Sequence, residues 1–275
     1  MSSSANLDPP RLPFKPRICA VSYLNTVPLV WGMLHGEQSL HCELDFQVPS
    51  ECADQVETGQ ADFGIVPVIE VQRQGLLAAP GTGIACDGDV RSILLVSRTE
   101  PGRIKTLAAD TGSRTSVVLA RILLRGIFGA DPEILPMRPD LAPMMERADA
   151  ALMIGDAALR LDLGSLPYQA LDLGRLWRQQ TGLPMVFAVW AGKPHRMEPL
   201  LQSGIEDFLL HSLQYGLQSL NTIVESESRS RGFSPELIRR YLTQHIRFRI
   251  GEAEQQGLRE FLRHAATLDP LLTLP

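Results

Sequence analysis

A chain of 275 residues with a formal charge of −5, 44% apolar and 21% charged side chains has an ordinary globular composition. It exceeds the usual size of one core, so two domains or one large α/β unit is expected. Its basic residues are scattered and no apolar run approaches a membrane span, which argues against a nucleic-acid surface and a membrane anchor.

The six His residues form no HxxxH or HxH pair, and Cys19, Cys42, Cys52 and Cys86 form no CxxC. No metal site is expected, and the cysteines read as buried reduced thiols. Nearly all positive charge is Arg, with Lys only at 15, 105 and 193. Residues 1–16 are rich in Ser and Pro and lack the apolar stretch of a secretory leader. They read as a disordered tail on a cytoplasmic protein.

Residues 18–21 form a short apolar run of strand type, after which Ser22, Tyr23, Leu24 and Asn25 turn the chain. Thr26 is placed as an N-cap and Pro28 in the first turn of a helix that stops at Gly36. The alternation of Leu44, Phe46 and Val48 predicts a half-buried strand over 40–48, followed by a helix over 51–58. A strand at 61–66 leads through Pro67 into a short helix carrying Glu70. A looser, glycine-bearing stretch over 79–89 holds one possible strand, 83–86. Residues 92–97, SILLVS, form a strongly apolar strand, and the polar segment 98–103 reads as a crossover.

The rhythm restarts with a strand over 104–109, the segment DTGSRTS over 110–116 and a helix to Phe128. Strand 133–137, helix 141–147 and strand 150–154 follow, and Gly155-Asp156 opens a short helix over 157–161. A strand over 168–173 with little alternation implies burial. A helix over 174–180 and a buried strand over 185–191 come next. Beyond Gly192 the chain reads as entirely helical, with an apolar stripe at helical spacing over 198–226 and further helices from Ser234 and over 252–267.

Two βα blocks separated by crossovers near 98–103 and 192–194 predict a clamshell. Residues 17–97 and 193–275 form one lobe, and 98–192 form an inserted second. Such a fold closes by hinge motion, with a cleft between the strand ends.

Two stretches concentrate polar groups where strands meet helix starts, the edge at which open α/β folds bind small molecules. The first is Ser22, Tyr23, Asn25 and Thr26. The second is Thr111, Ser113, Thr115 and Ser116 with Arg114 among them, where hydroxyls, helix N–H groups and a guanidinium suit a carboxylate. Gly155-Asp156 repeats the geometry, with Asp156 either an N-cap or a base. Ser92 and Val66 stand at strand ends that can face the cleft. There is no GxGxxG, Walker A, GxSxG or HExxH, so chemistry without nucleotide or metal, and no cofactor, is expected.

SYLNTVPL at 22–29, ADFGIVPVIE at 61–70, SILLVS at 92–97, TGSRTS at 111–116, IGDAAL at 154–159 and TGLPMVFAVW at 181–190 together resemble the chorismate dehydratases of menaquinone biosynthesis by the futalosine route. The resemblance spans about residues 17–250. It implies an α/β, two-lobed clamshell similar to type II periplasmic binding proteins, with C-terminal helices. It also implies loss of water from chorismate to give 3-[(1-carboxyvinyl)oxy]benzoate.

On that implication Ser22, Asn25 and Thr26, with Tyr23, hold one end of chorismate, Asn25 bonding the leaving hydroxyl or the enolpyruvyl group. Ser92, Ser113, Arg114, Thr115 and Ser116 hold the carboxylates, with Val66 and Gly155 alongside. The base is either Asp156 or a carboxylate of the substrate. The rival readings are the sister reaction forming 1,4-dihydroxy-6-naphthoate and a non-catalytic binding protein for small carboxylates. The expected partner is a small molecule, with neither nucleic acid nor membrane, and the chain a monomer or homodimer.

Overall fold

The computed structural model describes residues 12–268. In chain order the first elements are β1 (Arg17–Val21), a 3₁₀ turn (Leu24–Thr26), α1 (Val27–His35), β2 (Glu43–Gln47), α2 (Pro49–Thr58), β3 (Phe63–Pro67), α3 (Val68–Arg73) and β4 (Leu77–Cys86). The middle of the chain gives β5 (Ile93–Ser97), β6 (Thr106–Asp110), α4 (Thr115–Phe128), β7 (Glu133–Met137), α5 (Leu141–Arg147), β8 (Ala150–Ile154), α6 (Gly155–Leu159), β9 (Gln169–Asp172) and α7 (Leu173–Thr181). The last part runs β10 (Met185–Gly192), α8 (Pro194–Gln202), α9 (Ile205–Gln218), α10 (Leu220–Arg231), α11 (Pro235–Arg240), a π-helical turn (Tyr241–His245), β11 (Arg247–Ile250) and α12 (Glu252–Leu268).

Among the described residues the strands form two mixed sheets, giving an α/β fold of two lobes. The six-stranded sheet has the order β11-β4-β10-β3-β1-β2, and the five-stranded sheet β7-β6-β8-β5-β9. β1 pairs in parallel with β2 and β3, while β10 runs antiparallel to both β3 and β4. In the other sheet β6 is parallel to β7 and β8, and β5 is antiparallel to β8 and β9.

The centres of the sheets, β3, β5, β8 and β10, are buried along their whole lengths, as continuous apolar runs predict. In the first core, Trp190 meets Phe63 edge to face with ring centroids 5.8 Å apart, and burying each such side chain contributes about 2–3 kcal/mol. Helix α9 lies so close on α1 that a Cβ at Gly216 would stand 2.2 Å from the Pro28 carbonyl oxygen.

Several expectations are corrected. The lobe boundaries drawn at 98 and 192 fall one strand late by sheet membership. Ile93–Ser97, placed with the first lobe, belongs to the five-stranded sheet, and Met185–Gly192, placed with the second, belongs to the six-stranded one. The chain therefore passes between sheets through residues 87–92 and 173–184. The segment 79–89 contains no loose run but most of a ten-residue strand, Leu77–Cys86, whose glycines sit beside bulged pairings with β10 and β11.

β9 is a half-exposed edge strand and not a buried one. The region after Gly192 includes β11, and the stripe over 198–226 is three helices broken at residues 203–204 and at Ser219. Of the expected tail, residues 1–11 lie outside the described residues. Leu12 and Phe14 pack on the core, with the Arg196 guanidinium 5.6 Å from the Phe14 ring centroid. The four cysteines are free and buried.

Candidate active site

The C-terminal ends of β1, β3 and β8, with the start of β5 and the middle of β10, converge on a cavity of about 550 Å³, counting its open mouth. Val21, Pro67, Phe187 and Ala188 wall it from the six-stranded sheet, and Ile93 and Ile154 from the five-stranded one. Its polar lining is small: Tyr23, Asn25, Ser92 and the run Ser113, Arg114, Thr115 and Ser116. An apolar pocket with a few convergent donors is the usual form of a small-molecule site.

The turn after β1 supplies the first group. Ser22 is tied down by its backbone, its N–H donating to the Gln47 carbonyl at 2.9 Å and its carbonyl accepting from Arg231 at 2.9 Å. Tyr23 lies with its ring against Gly155, whose φ of +57° keeps the backbone close; a Cβ there would stand 2.6 Å from the ring. Burial first, then the charges of Asp110 and Asp156, push the Tyr23 phenol well above its ordinary pKa, so it serves as a neutral hydrogen-bond group. Asn25 sits in the 3₁₀ turn with its Oδ1 buried and without a protein partner. Thr26, expected as an N-cap, makes no capping bond. It has helical backbone angles, and its Oγ1 is buried in the protein rather than on the cavity wall.

The second group stands at the start of α4. β6 ends at Asp110, whose Oδ1 accepts from the Gly112 N–H at 2.8 Å and whose carbonyl accepts from the Ser113 N–H at 2.9 Å. The turn delivers Ser113 and Ser116 to the cavity wall, with the Ser113 Oγ buried and unpartnered. The backbone N–H groups of the first helical turn have no carbonyl of their own helix to meet. The Thr115 hydroxyl is already engaged, donating to the Phe187 carbonyl at 3.2 Å and accepting from the Ile69 N–H at 3.5 Å.

Arg114 departs from the simple carboxylate-binding picture. Its guanidinium donates to Glu70 at 3.0 Å and to Asp54 at 2.7 Å. Burial opposes its charge, but these carboxylates outweigh the burial and hold its pKa above the ordinary value. The charge that the site offers a ligand therefore comes from neutral dipoles, with the cation balanced inside the protein.

Asp156 is in the same position with opposite sign. One carboxylate oxygen accepts from the Leu24 N–H at 3.0 Å and the other is ion-paired with Arg231, which also meets Glu227 at 2.5 Å. It is not among the cavity-lining groups. It ties α6 and the end of α10 to the turn after β1. Val66 is buried within β3 beside the lining residue Pro67 and does not line the cavity itself.

Ser92 joins the two groups. Its carbonyl accepts from the Gly155 N–H at 2.8 Å, and its Oγ accepts from the Tyr241 hydroxyl at 2.8 Å. Tyr241 is 1% exposed, and burial pushes its phenol well above the ordinary pKa, partly offset by its bond to Ser92. The structure thus brings Tyr23, Asn25, Ser92, Ser113, Arg114, Thr115, Ser116 and Gly155 to one cavity. It leaves Ser22, Thr26, Val66 and Asp156 behind its wall.

Sequence reasoning passed over Tyr241, a lone Tyr in a run read as helical, and Phe187, on a strand read as buried. Only the TGLPMVFAVW motif carried a signal for the latter. Among the described residues no group of three His, Cys, Asp or Glu gathers closely enough to hold a metal, and no helix is long and apolar enough to cross a membrane.

A family model described as menaquinone biosynthesis matches residues 16–267. Chorismate dehydratase from Thermus thermophilus is 29% identical over 257 residues, covering 87% of this chain and 91% of that protein. Among solved structures, protein AF1704 from Archaeoglobus fulgidus superposes with a TM-score of 0.72 at 17% identity, covering 94% of this chain and 98% of that one. The periplasmic aliphatic sulphonate binding protein SsuA from Escherichia coli superposes with a TM-score of 0.64 at 14% identity, covering 93% and 87%. These likenesses make the fold that of the periplasmic binding proteins.

Proposed function

The chain belongs to the menaquinone-biosynthesis family, and from that premise we propose that it is a hydro-lyase converting chorismate to 3-[(1-carboxyvinyl)oxy]benzoate and water. The observation that carries the reading is the similarity to the Thermus thermophilus chorismate dehydratase across most of both chains. The cavity supports it: a small ring with one carboxylate of its own and a second on its enolpyruvyl side chain suits a pocket of apolar walls, hydroxyls and one helix start.

In this reading the ring carbon bearing the enolpyruvyl ether loses a proton, and the electron pair of that C–H bond becomes a ring double bond. The neighbouring C–O bond breaks, and its hydroxyl, taking up the proton that left the ring, departs as water as the ring becomes aromatic. Asn25 hydrogen-bonds the leaving hydroxyl or the enolpyruvyl group through its unpartnered carboxamide oxygen or its N–H. Ser92, Ser113, Ser116 and the N–H groups of the α4 start hold the carboxylates. Donors aimed at the ring carboxylate stabilise the charge that spreads onto it as the proton leaves. Tyr23 closes one wall.

The proton acceptor is a carboxylate of the substrate. Asp156 is held by Leu24 and Arg231, and a second protein anion beside a dianion would be repelled. A neutral, closed pocket is what makes a substrate carboxylate an adequate base. The role of Asp156 is then to hold the turn that presents Asn25.

The test is to mix the purified protein with chorismate and follow products by ultraviolet absorbance and mass. Loss of one water with an aromatic enolpyruvyl product supports the reading, and Asn25→Ala should then lower turnover about a hundredfold. Unchanged chorismate, with dihydroxynaphthoate released from cyclic futalosine instead, overturns it in favour of the sister reaction.

A further inference from the structure

Tyr241 comes from the far end of the chain, 149 residues after Ser92. It reaches the site because the chain turns sharply there. Ser234 caps α11 by accepting from the Leu237 N–H at 3.2 Å, and the helix then widens into the π-helical turn Tyr241–His245. Such turns place one side chain where a regular helix would not. Here it is a phenol, among the largest fully buried side chains of the protein. A hydroxyl is buried at little cost only if it is hydrogen-bonded, and the partner of this one is a residue of the cavity wall. It donates to the Ser92 Oγ at 2.8 Å.

A tyrosine has one proton to give. With the Tyr241 proton on the Ser92 Oγ, the hydrogen of Ser92 is left free to point into the cavity that Ser92 lines. Ser92 leads into β5 of the five-stranded sheet. We infer that Tyr241 is a positioning residue of the active site: through one buried hydroxyl it fixes Ser92 as a donor to the bound ligand. The inference rests on the dehydratase reading, since it assigns Ser92 a hydrogen bond that strengthens as the ring carboxylate gains charge. Tyr241 itself touches no substrate.

The experiment is a double-mutant cycle on chorismate turnover with Tyr241→Phe and Ser92→Ala. Phe keeps the ring and its packing, so the melting temperature should stay near wild type. Removing the orienting bond is expected to lower kcat about tenfold, with KM changed less than about threefold. In the S92A background the same change should alter kcat by less than about twofold, because the hydroxyl it acts through is gone. A purely structural tyrosine would instead lower both backgrounds by the same factor.

Y241F with full turnover overturns the inference, and so does a loss that multiplies unchanged in S92A. S92A with full turnover overturns it however Y241F folds. Wild-type protein that leaves chorismate intact overturns the dehydratase reading and this inference together, an outcome distinct from the others.

Discussion

Replacing Gly155 with Ala presses on the site from behind. At φ +57° a Cβ would stand 2.6 Å from two carbons of the Tyr23 ring and 2.9 Å from a third, where carbon–carbon contacts settle at about 3.5–4.0 Å. The ring must therefore retreat by roughly 1 Å. The left-handed backbone adds about 1–2 kcal/mol for a residue with a Cβ, and overpacking adds about 1–3 kcal/mol. The sum, about 2–5 kcal/mol, corresponds in a chain of this size to a melting temperature lower by roughly 5–15 °C.

The strain does not stay local. The Gly155 N–H donates to the Ser92 carbonyl, and Tyr23 lines the cavity, so turnover should fall by at least about tenfold even well below the melting temperature. Calorimetry and the chorismate assay on the same preparation read both effects. A variant that melts and turns over like wild type would show that the ring is free to move aside, and would refute the close packing on which the argument stands.

Asp156→Asn weakens the link to Arg231; it should lower the melting temperature by several degrees yet cost no more than about tenfold in turnover, where removal of a general base costs about 10²–10⁴. Loss of that larger size with unchanged melting would make Asp156 the base. Arg114→Met strips Glu70 and Asp54 of a partner and is expected to destabilise by about 2 kcal/mol. Its KM should rise only modestly; a hundredfold rise at wild-type stability would assign the guanidinium to the substrate.

Burial raises the Asp110 carboxyl, with partial relief from the Gly112 N–H. The folded protein therefore holds that proton more firmly than the unfolded chain. Wild type loses stability relative to Asp110→Asn as the pH rises from the ordinary carboxylate range through the raised value, and the gap is constant above it. Urea midpoints of both proteins across that range read the trend, and a wild type that gains on Asp110→Asn with rising pH would contradict it.

The βα rhythm is legible wherever apolar runs are bounded by Pro, Gly or capping residues, and β7, α5 and β8 fall where periodicity places them. What an apolar run does not encode is its neighbour. SILLVS has the composition of a central strand in either sheet, and only long-range pairing with β8 and β9 assigns it to the second. β4 is obscured because Pro80, Gly81 and Gly83 lower local strand propensity, while partners on both sides recover it.

In the site, the clustering of hydroxyls and amides at two helix starts is visible in the residues, but their directions are not. Thr115 turns its hydroxyl to β10, Thr26 turns into the protein and Arg114 faces two carboxylates. Nothing local marks Tyr241, because its importance comes from a residue 149 positions away.

The sheet order also dictates a sequence of events during synthesis. All five strands of the inserted sheet lie between Ile93 and Asp172, so that unit can close while the ribosome is still making the rest. The six-stranded sheet cannot. β10 is the slat between β3 and β4, with Val66 beside Val189 and Cys86 beside Met185, and β11 then covers the outer edge of β4. Until those late strands emerge, β3 and β4 present bare backbone edges able to recruit other chains. A nascent chain stalled before Met185 should therefore carry one finished lobe and one sticky one, and it is at this point of its synthesis that the protein most needs a chaperone.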